Sequence, residues 1–351
     1  MKRKTKEVSI GKIKIGGENP IAVQSMLSIP SYEIEKNILQ AIELKNAGCD
    51  ILRVAVPDKE SIKLIDSLKN NVDIPLVADI HFDYKLAIDS IYAGVDKIRI
   101  NPGNTSKENI KKLTKVCKEK NIPIRVGINS GSLEKYLVSN PNRSEAMCKS
   151  AMDSIKVLES CDFNNIVVSL KSSDVKTCVE AYNLMSQMCN YPLHLGVTET
   201  GTKFMGTIKS SIGIGSLLLN GIGDTLRVSL TDNPLEEVKC GIGILKSLNL
   251  YGKGINIISC PTCGRTRINL IDIATKAEKM FEKSKANLKV AIMGCAVNGP
   301  GEAKEADIGI AGADGLGVIF KKGKVIKTVK ESDLLLELKK EIDLMEKNSI
   351  T

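Results

Sequence analysis

Three cysteines carry the sharpest chemistry in this sequence. Cys260 and Cys263 stand three apart in SCPTCGRT, residues 259–266, and Cys295 lies in the glycine-rich stretch MGCAVNGPGEA, residues 293–303. A lone C-x-x-C suits a redox dithiol, half of a zinc ribbon or one side of an iron-sulfur cluster. A zinc ribbon wants a second pair, and none exists; His81 and His194 are the only histidines and both lie far upstream, so zinc would need a distant ligand. A cubane cluster tolerates one iron with a weak, exchangeable ligand. No cysteine follows Cys295, which leaves Cys240 and Glu302 as candidates for a fourth position. A carboxylate is harder than a thiolate and more readily displaced, which favours Glu302 modestly and suits a catalytic cluster.

A second reactive set is basic. Arg53, Arg99, Arg125 and Arg227 sit inside four short apolar runs and Lys171 inside a fifth, with Asp79 and Glu199 as the acids of such runs. Alternation along a strand puts His81 on the face of Asp79, Asn101 with Arg99, and Asn129 with Arg125. A charge on the buried outer face of such a strand would be ruinous, so these side chains must turn inward to one shared mouth. Five cations against two carboxylates leaves an excess that a phosphorylated or diphosphate ligand would neutralise, and guanidinium forks match phosphate oxygens. The alternative is a set of structural ion pairs, whose charges should balance. His81, toward the C-terminal end of its run, is expected to act, and His194, at the opposite end of its own, to be structural.

The runs that position these residues are PIAVQSM, DILRVAV, IPLVADIHF, DKIRINPG, IPIRVGINS, NIVVSLKSS, PLHLGVTETG and DTLRVSL, mostly separated by segments with helical periodicity. In residues 31–48, for instance, Ile34, Ile38, Ala41 and Ile42 fall on one stripe and Gly48 stands where a C-terminal cap belongs. Strand then helix, eight times, predicts a (β/α)8 barrel whose working face is the C-terminal end of its strands. AGCDILRVAVP and AGVDKIRINP form a weak internal echo. VSIGKIKIG predicts a hairpin over the barrel floor, and KSSIGIGSLL predicts a helix opening near Ser211, a phosphate site on backbone amides.

The pattern changes near residues 249–254, which divides the chain into a barrel domain, 1–250, and a small α+β domain, 251–351. The latter reads as strand INIISC, a helix over about 267–286, strand LKVAIMGC, strand ADIGIAG, a hairpin turning at Lys322 and Gly323, and a helix from Leu334. Both cysteine loops leave the C-terminal ends of its first two strands.

The 351 residues are 42% apolar, with no run long enough to span a membrane and no apolar signal core after the basic start. A cytoplasmic protein without a disulfide framework is expected. The net charge of +9 comes from dispersed lysines with only 3% aromatic residues, which argues for anionic small molecules and against nucleic acid or membrane. From the residues alone, a zinc- or cluster-bearing binding module and a pterin- or phosphosugar-using lyase remain as other readings.

CPTCGRT and CAVNGPGEAKEADIGIAG, with 31 residues between Cys263 and Cys295, join VQSM, ADIHF, IRINPGN, RVGINSGSL and LGVTETG in a pattern that covers nearly the whole chain. It closely resembles the (E)-4-hydroxy-3-methylbut-2-enyl diphosphate synthase family of the methylerythritol phosphate isoprenoid pathway. The resemblance implies a 4Fe-4S cluster on Cys260, Cys263, Cys295 and Glu302. It further implies reductive ring opening of 2-C-methyl-D-erythritol 2,4-cyclodiphosphate, with two electrons delivered singly by a flavodoxin or ferredoxin. The barrel cations would hold the diphosphate, Glu302 would be the displaceable ligand and Glu199 the proton donor. A head-to-tail homodimer is also implied, each cluster domain capping its partner's barrel.

Overall fold

The structure, a computed structural model, describes residues 2–348 apart from 81–82, 101–105, 283, 285, 297–300, 302 and 314. It divides into two compact units, Met1–Tyr251 and Gly252–Thr351.

The first unit opens with a hairpin, β1 (Val8–Ile10) and β2 (Ile13–Ile15), and then alternates. β3 (Ala22–Met26), α1 (Ile34–Asn46), β4 (Ile51–Ala55), α2 (Ser61–Asn71), β5 (Leu76–Ile80), α3 (Tyr84–Tyr92), β6 (Lys97–Ile100) and α4 (Lys107–Lys120) follow in turn. After β7 (Ile124–Asn129) come a short α5 (Lys135–Val138) and α6 (Arg143–Glu159), then β8 (Ile166–Lys171), α7 (Val175–Met188), β9 (His194–Leu195), α8 (Lys203–Leu219), β10 (Thr225–Leu226) and α9 (Pro234–Ser247). Strands β3 to β10 form one parallel eight-stranded sheet in the order β8-β7-β6-β5-β4-β3-β10-β9. A parallel bridge between Val168 and Leu193 joins its two ends, so the sheet closes into a (β/α)8 barrel.

Strand parity sorts the barrel's side chains. Leu52, Val54, Leu76, Ala78, Ile98, Ile124, Val126, Val168 and Leu195 face outward into one apolar layer beneath the helices. The inward residues at the N-terminal strand ends, Ala22, Ile51, Val77 and Val167, pack on Val8, Ile10 and Ile15, so the first hairpin plugs the floor as expected. Several helices start directly behind the strands' C-terminal ends because a polar side chain caps each: Ser106 accepts from the Asn109 N–H, Asn142 from Glu145 and Asp174 from Thr177. Gly48 closes α1 at φ +99. The buried face of α1 is Asn37, Ala41 and Leu44 and leaves Ile42 exposed, because Asn37 turns inward to donate to the carbonyls of Pro30 and Glu33.

The helix expected to open near Ser211 starts at Lys203, which puts Ser211 in its middle and exposed. Gly213 there is a packing residue: a Cβ on it would lie 2.5 Å from Val197, so its absence of side chain lets α8 approach the barrel, whereas one on Gly215 would meet no neighbour within 4 Å. Ser211 is therefore no phosphate cradle.

The second unit is a five-stranded sheet, β11 (Asn256–Ser259), β12 (Lys289–Met293), β13 (Ile308–Ala313), β14 (Leu316–Lys321) and β15 (Lys324–Lys330), in sequential order. α10 (Leu270–Phe281), shorter at both ends than the pattern predicts, and α11 (Leu334–Asn348) supply Leu270, Ile273, Ala277, Phe281, Leu334, Leu338 and Ile342 to a core with Val290, Ile292, Ile308, Ile310 and Ile319. The β14–β15 turn has Lys322 at φ +46 and Gly323 at φ +76, both left-handed as a two-residue hairpin requires. Among the described residues no helix is long and apolar enough to cross a membrane.

Candidate active site

TIM-type barrels are usually filled by layers of branched apolar side chains. Above its floor this one is filled with polar groups. Gln24, Asp79, Lys97, Arg99, Arg125, Ser169, Lys171, His194 and Thr225 are all buried at inward strand positions.

Asp79 organises the upper part of this interior. Its Oδ1 accepts from the Arg99 guanidinium at 3.1 Å, and its Oδ2 lies 3.8 Å from Nε of Arg53, which also approaches the Met26 sulfur at 3.0 Å. Two inward glycines make room for the cations: a Cβ at Gly127 would sit 2.7 Å from Arg99 Nε, and one at Gly196 would sit 2.9 Å from Lys171 Nζ. Burial holds Lys171 well below its ordinary value, and the guanidiniums of Arg227, Arg53, Arg125 and Arg99 push it the same way. Arg125 lies deeper than the others, 1% exposed, reaching across the barrel from β7 to Gln24 Oε1 on β3 at 3.4 Å. Asn129 ends β7 opposite Lys171 and is half-buried.

Arg227 departs from the expectation. Glu237 of α9, 3% exposed, grips its guanidinium through Nε at 3.2 Å and Nη2 at 3.1 Å and also accepts from the Leu230 N–H at 3.0 Å. Arg227 is thus a member of a buried bidentate pair and not an unmatched cation. The sequence reading counted neither Glu237, which is on a helix, nor Lys97, which has the parity of Arg99 two residues earlier and is fully buried. With both counted, the inward cations are Arg53, Lys97, Arg99, Arg125, Lys171 and Arg227, against Asp79 and Glu237, and the excess persists.

Glu199 is exposed, on the loop that leaves the C-terminal end of β9, with φ +53. A non-glycine residue in that region costs about 1–2 kcal/mol and is tolerated where neighbours over-determine it. Here the Thr198 N–H donates to the Ser172 carbonyl at 3.2 Å, the Thr231 N–H to the Gly201 carbonyl at 2.9 Å, and Thr200 Oγ1 to the Ser229 carbonyl. The loop that carries Glu199 is thereby tied to those after β8 and β10. His194 is fully buried, its Nδ1 2.8 Å from Thr225 Oγ1, and burial keeps its ring neutral. His81, Asn101 and Glu302 lie outside the described residues.

In the second unit β11 and β12 are parallel neighbours, and Cys260 and Cys295 follow their C-terminal ends. The Gly294 N–H donates to Cys260 Sγ at 3.2 Å, which ties the two loops together. Cys263, exposed, has its thiol held below the usual range by hydrogen bonds from the Arg265 backbone and side chain. A cysteine thiol accepting a backbone N–H and another shifted toward thiolate form the kind of soft donor set that suits an iron-sulfur cluster. Among the described residues no three His, Cys, Asp or Glu side chains are gathered closely enough to hold a metal ion, so the fit rests on donor type and strand position. Cys240 belongs to the barrel unit, on α9, and burial pushes its thiol up.

Fold and site together define a TIM-barrel protein with a cationic interior, followed by a small α+β domain that presents cysteines from adjacent parallel strands. Residues 5–242 match the GcpE TIM-barrel domain and residues 256–344 the GcpE protein C-terminal domain; the chain belongs to the GcpE family. It is 56% identical over 350 residues to the 4-hydroxy-3-methylbut-2-en-1-yl diphosphate synthase (flavodoxin) of Caldanaerobacter subterraneus, covering 99% of each chain. It is 55% identical to the protein of the same description from Clostridium acetobutylicum, covering 97% of this chain and 99% of that one. Among solved structures, dihydropteroate synthase from Stenotrophomonas maltophilia superposes with a TM-score of 0.55 at 12% identity, over 69% of this chain and 97% of that one. The Xanthomonas albilineans dihydropteroate synthase gives 0.53, also at 12% identity, over 70% and 97%. That likeness speaks for the barrel fold alone.

Proposed function

We propose that this chain is an oxidoreductase that opens and dehydrates 2-C-methyl-D-erythritol 2,4-cyclodiphosphate to (E)-4-hydroxy-3-methylbut-2-enyl diphosphate, a step of isoprenoid-precursor biosynthesis. The relatives carry that product in their name. The observation that carries the reading in this chain is the surplus of buried inward cations over carboxylates.

Arg53, Arg99 and Lys171 bind the diphosphate at the strands' C-terminal ends, with Asn129 beside Lys171 and Arg125 from below; Asn101, which shares the sequence parity of Arg99, is a further candidate. Asp79 fixes the Arg99 fork, and Glu237 does the same for Arg227, which shapes the pocket. An arriving phosphate offsets the repulsion among these groups and so favours the charged form of Lys171. Glu199 gives a proton to the departing oxygen, and His81, which shares the sequence parity of Asp79, is a further candidate catalytic group. Cys260, Cys263, Cys295 and Glu302 would hold a 4Fe-4S cluster, which when bound would supply the two electrons singly. The electron donor is a flavodoxin, as in the relatives' name, or a ferredoxin.

The working form is a cytoplasmic homodimer. In support, α8 exposes Phe204, Met205, Ile208, Ile212 and Leu219, a run of large apolar side chains that a second copy would cover. The deciding experiment is anaerobic turnover of the cyclodiphosphate by reconstituted protein with reduced flavodoxin. Iron, acid-labile sulfide and product formation are expected; zinc alone with no turnover would overturn the reading in favour of a binding module.

A further inference from the structure

Beneath Arg53, Arg99 and Lys171 lies a deeper polar layer of which the proposed reaction uses only Arg125. Lys97 and His194 are fully buried and Gln24 and Arg125 are 1% exposed, yet Lys97 Nζ, His194 Nε2, Gln24 Nε2 and Arg125 Nε have no hydrogen-bond partner among the described residues. Three of these atoms are obligatory donors, and the fourth becomes one when the His194 Nδ1 accepts from Thr225.

The topology brings three of them to one level. Gln24, Arg125 and His194 stand on the first, fifth and seventh barrel strands, which contribute alternately to the same layer, and Lys97 stands on the fourth strand beside β7. Arg125 spans the barrel to Gln24, and the charges felt at the His194 ring are those of Arg125, Lys171, Lys97 and Arg53. The interior carboxylate, Asp79, is engaged higher up by Arg99 and Arg53. An uncompensated buried ammonium costs several kcal/mol, and four orphaned donors in one barrel interior cost more. Apolar packing would remove that cost, as it does at Ile51, Val77 and Val167, the register partners of Gln24, Lys97 and Arg125 on adjacent strands.

We infer that the barrel holds a small inorganic anion of halide size on Lys97 Nζ, Arg125 Nε, Gln24 Nε2 and His194 Nε2, as a structural counter-charge below the substrate pocket. The anion leaves the upper cations free for the substrate's phosphates while satisfying the donors below them. Because Lys97, Gln24 and His194 have no part in the substrate reading, the proposal is tested separately from that reading.

The test uses the full chain with its cluster reconstituted and no substrate. Thermal unfolding is followed at constant ionic strength while gluconate, too large to enter, is replaced by chloride or bromide. A saturable rise of about 2 to 5 °C at ten times the dissociation constant is expected. Lys97→Met should abolish the dependence. Crystals grown in bromide should show an anomalous peak among the four donors, a readout that does not require the variant to fold. A melting temperature indifferent to halide together with water or no density at that place would overturn the proposal. If inorganic phosphate alone, and not halide, raised the melting temperature through Lys97, the level would belong to the substrate's phosphate and the halide assignment would fall.

Discussion

Gly127 and Gly196 are the residues at which the barrel's chemistry depends most directly on an absent side chain. Both occupy inward strand positions, and each leaves space that a cation fills. Their substitutions should separate. At Gly196 an added Cβ meets the Arg227 carbonyl oxygen at 2.7 Å as well as Lys171, and backbone on the neighbouring strand cannot step aside. Gly196→Ala should lower the melting temperature measurably by overpacking, at a cost of about 1–3 kcal/mol. At Gly127 the near atoms are all of the Arg99 side chain, so Gly127→Ala should instead displace the guanidinium from Asp79 and reduce kcat/KM more than stability. Arg53→Ala, which removes a guanidinium from a site nine-tenths closed to water, should cost on the order of 2 to 5 kcal/mol of transition-state stabilisation and leave the iron content unchanged. Near-normal kcat/KM with a lower melting temperature would make Arg53 a structural ion-pair member. In the cysteine domain, Cys260→Ser, Cys263→Ser or Cys295→Ser should each remove cluster and activity. Glu302→Ala should keep some oxygen-labile iron and lose most turnover, and wild-type behaviour there would return Cys240 to consideration.

At the level of elements, the sequence echo AGCD and AGVD has a physical cause that the sequence alone does not disclose. Gly48 and Gly94 have φ of +99 and +95, ending α1 and α3 in the same left-handed bend. The aspartate two residues on then turns back to the preceding strand: Asp50 accepts from the Val23 N–H at 2.8 Å and Asp96 from the Leu76 N–H at 2.8 Å. Asp224 repeats the contact at Leu193, at 2.9 Å, after a longer turn. These carboxylates satisfy donors where strands begin. Asp96→Ala should therefore cost about 1–3 kcal/mol in urea unfolding, and Asp96→Asn less, because an amide oxygen can still accept. Equal losses would assign the effect to the Lys69 ion pair instead. The strands were legible because alternating burial leaves its mark in composition, and so was the inward turn of the arginines. Ser211 was misplaced because glycines in α8 look like a loop, whereas Gly213 is there to let helix and barrel touch. Glu237 was invisible because a helix residue gives no strand parity, and Lys97 because a lysine that opens its apolar run reads as a solvated strand end.

On the scale of the whole molecule the reaction needs two things that the chain builds in separate units: a cationic pocket in Met1–Tyr251 and a cysteine centre in Gly252–Thr351. If a homodimer assembles head to tail, each active site takes its barrel from one protomer and its cluster from the other, and two differently damaged chains can restore one another. Cys295→Ser keeps a sound barrel and Glu199→Gln a sound cluster; each homodimer should be inactive. After subunit exchange, half of the dimers would be mixed, and each would hold one intact site of two under two-fold symmetry. Random pairing should thus return roughly a quarter of wild-type activity per total protein. Exchange is verified independently by native mass spectrometry of the mixture. Mixed dimers that form and remain inactive would place pocket and cluster of each site in the same chain, and the exposed apolar face of α8 would then have to be explained by an assembly in which no site is shared.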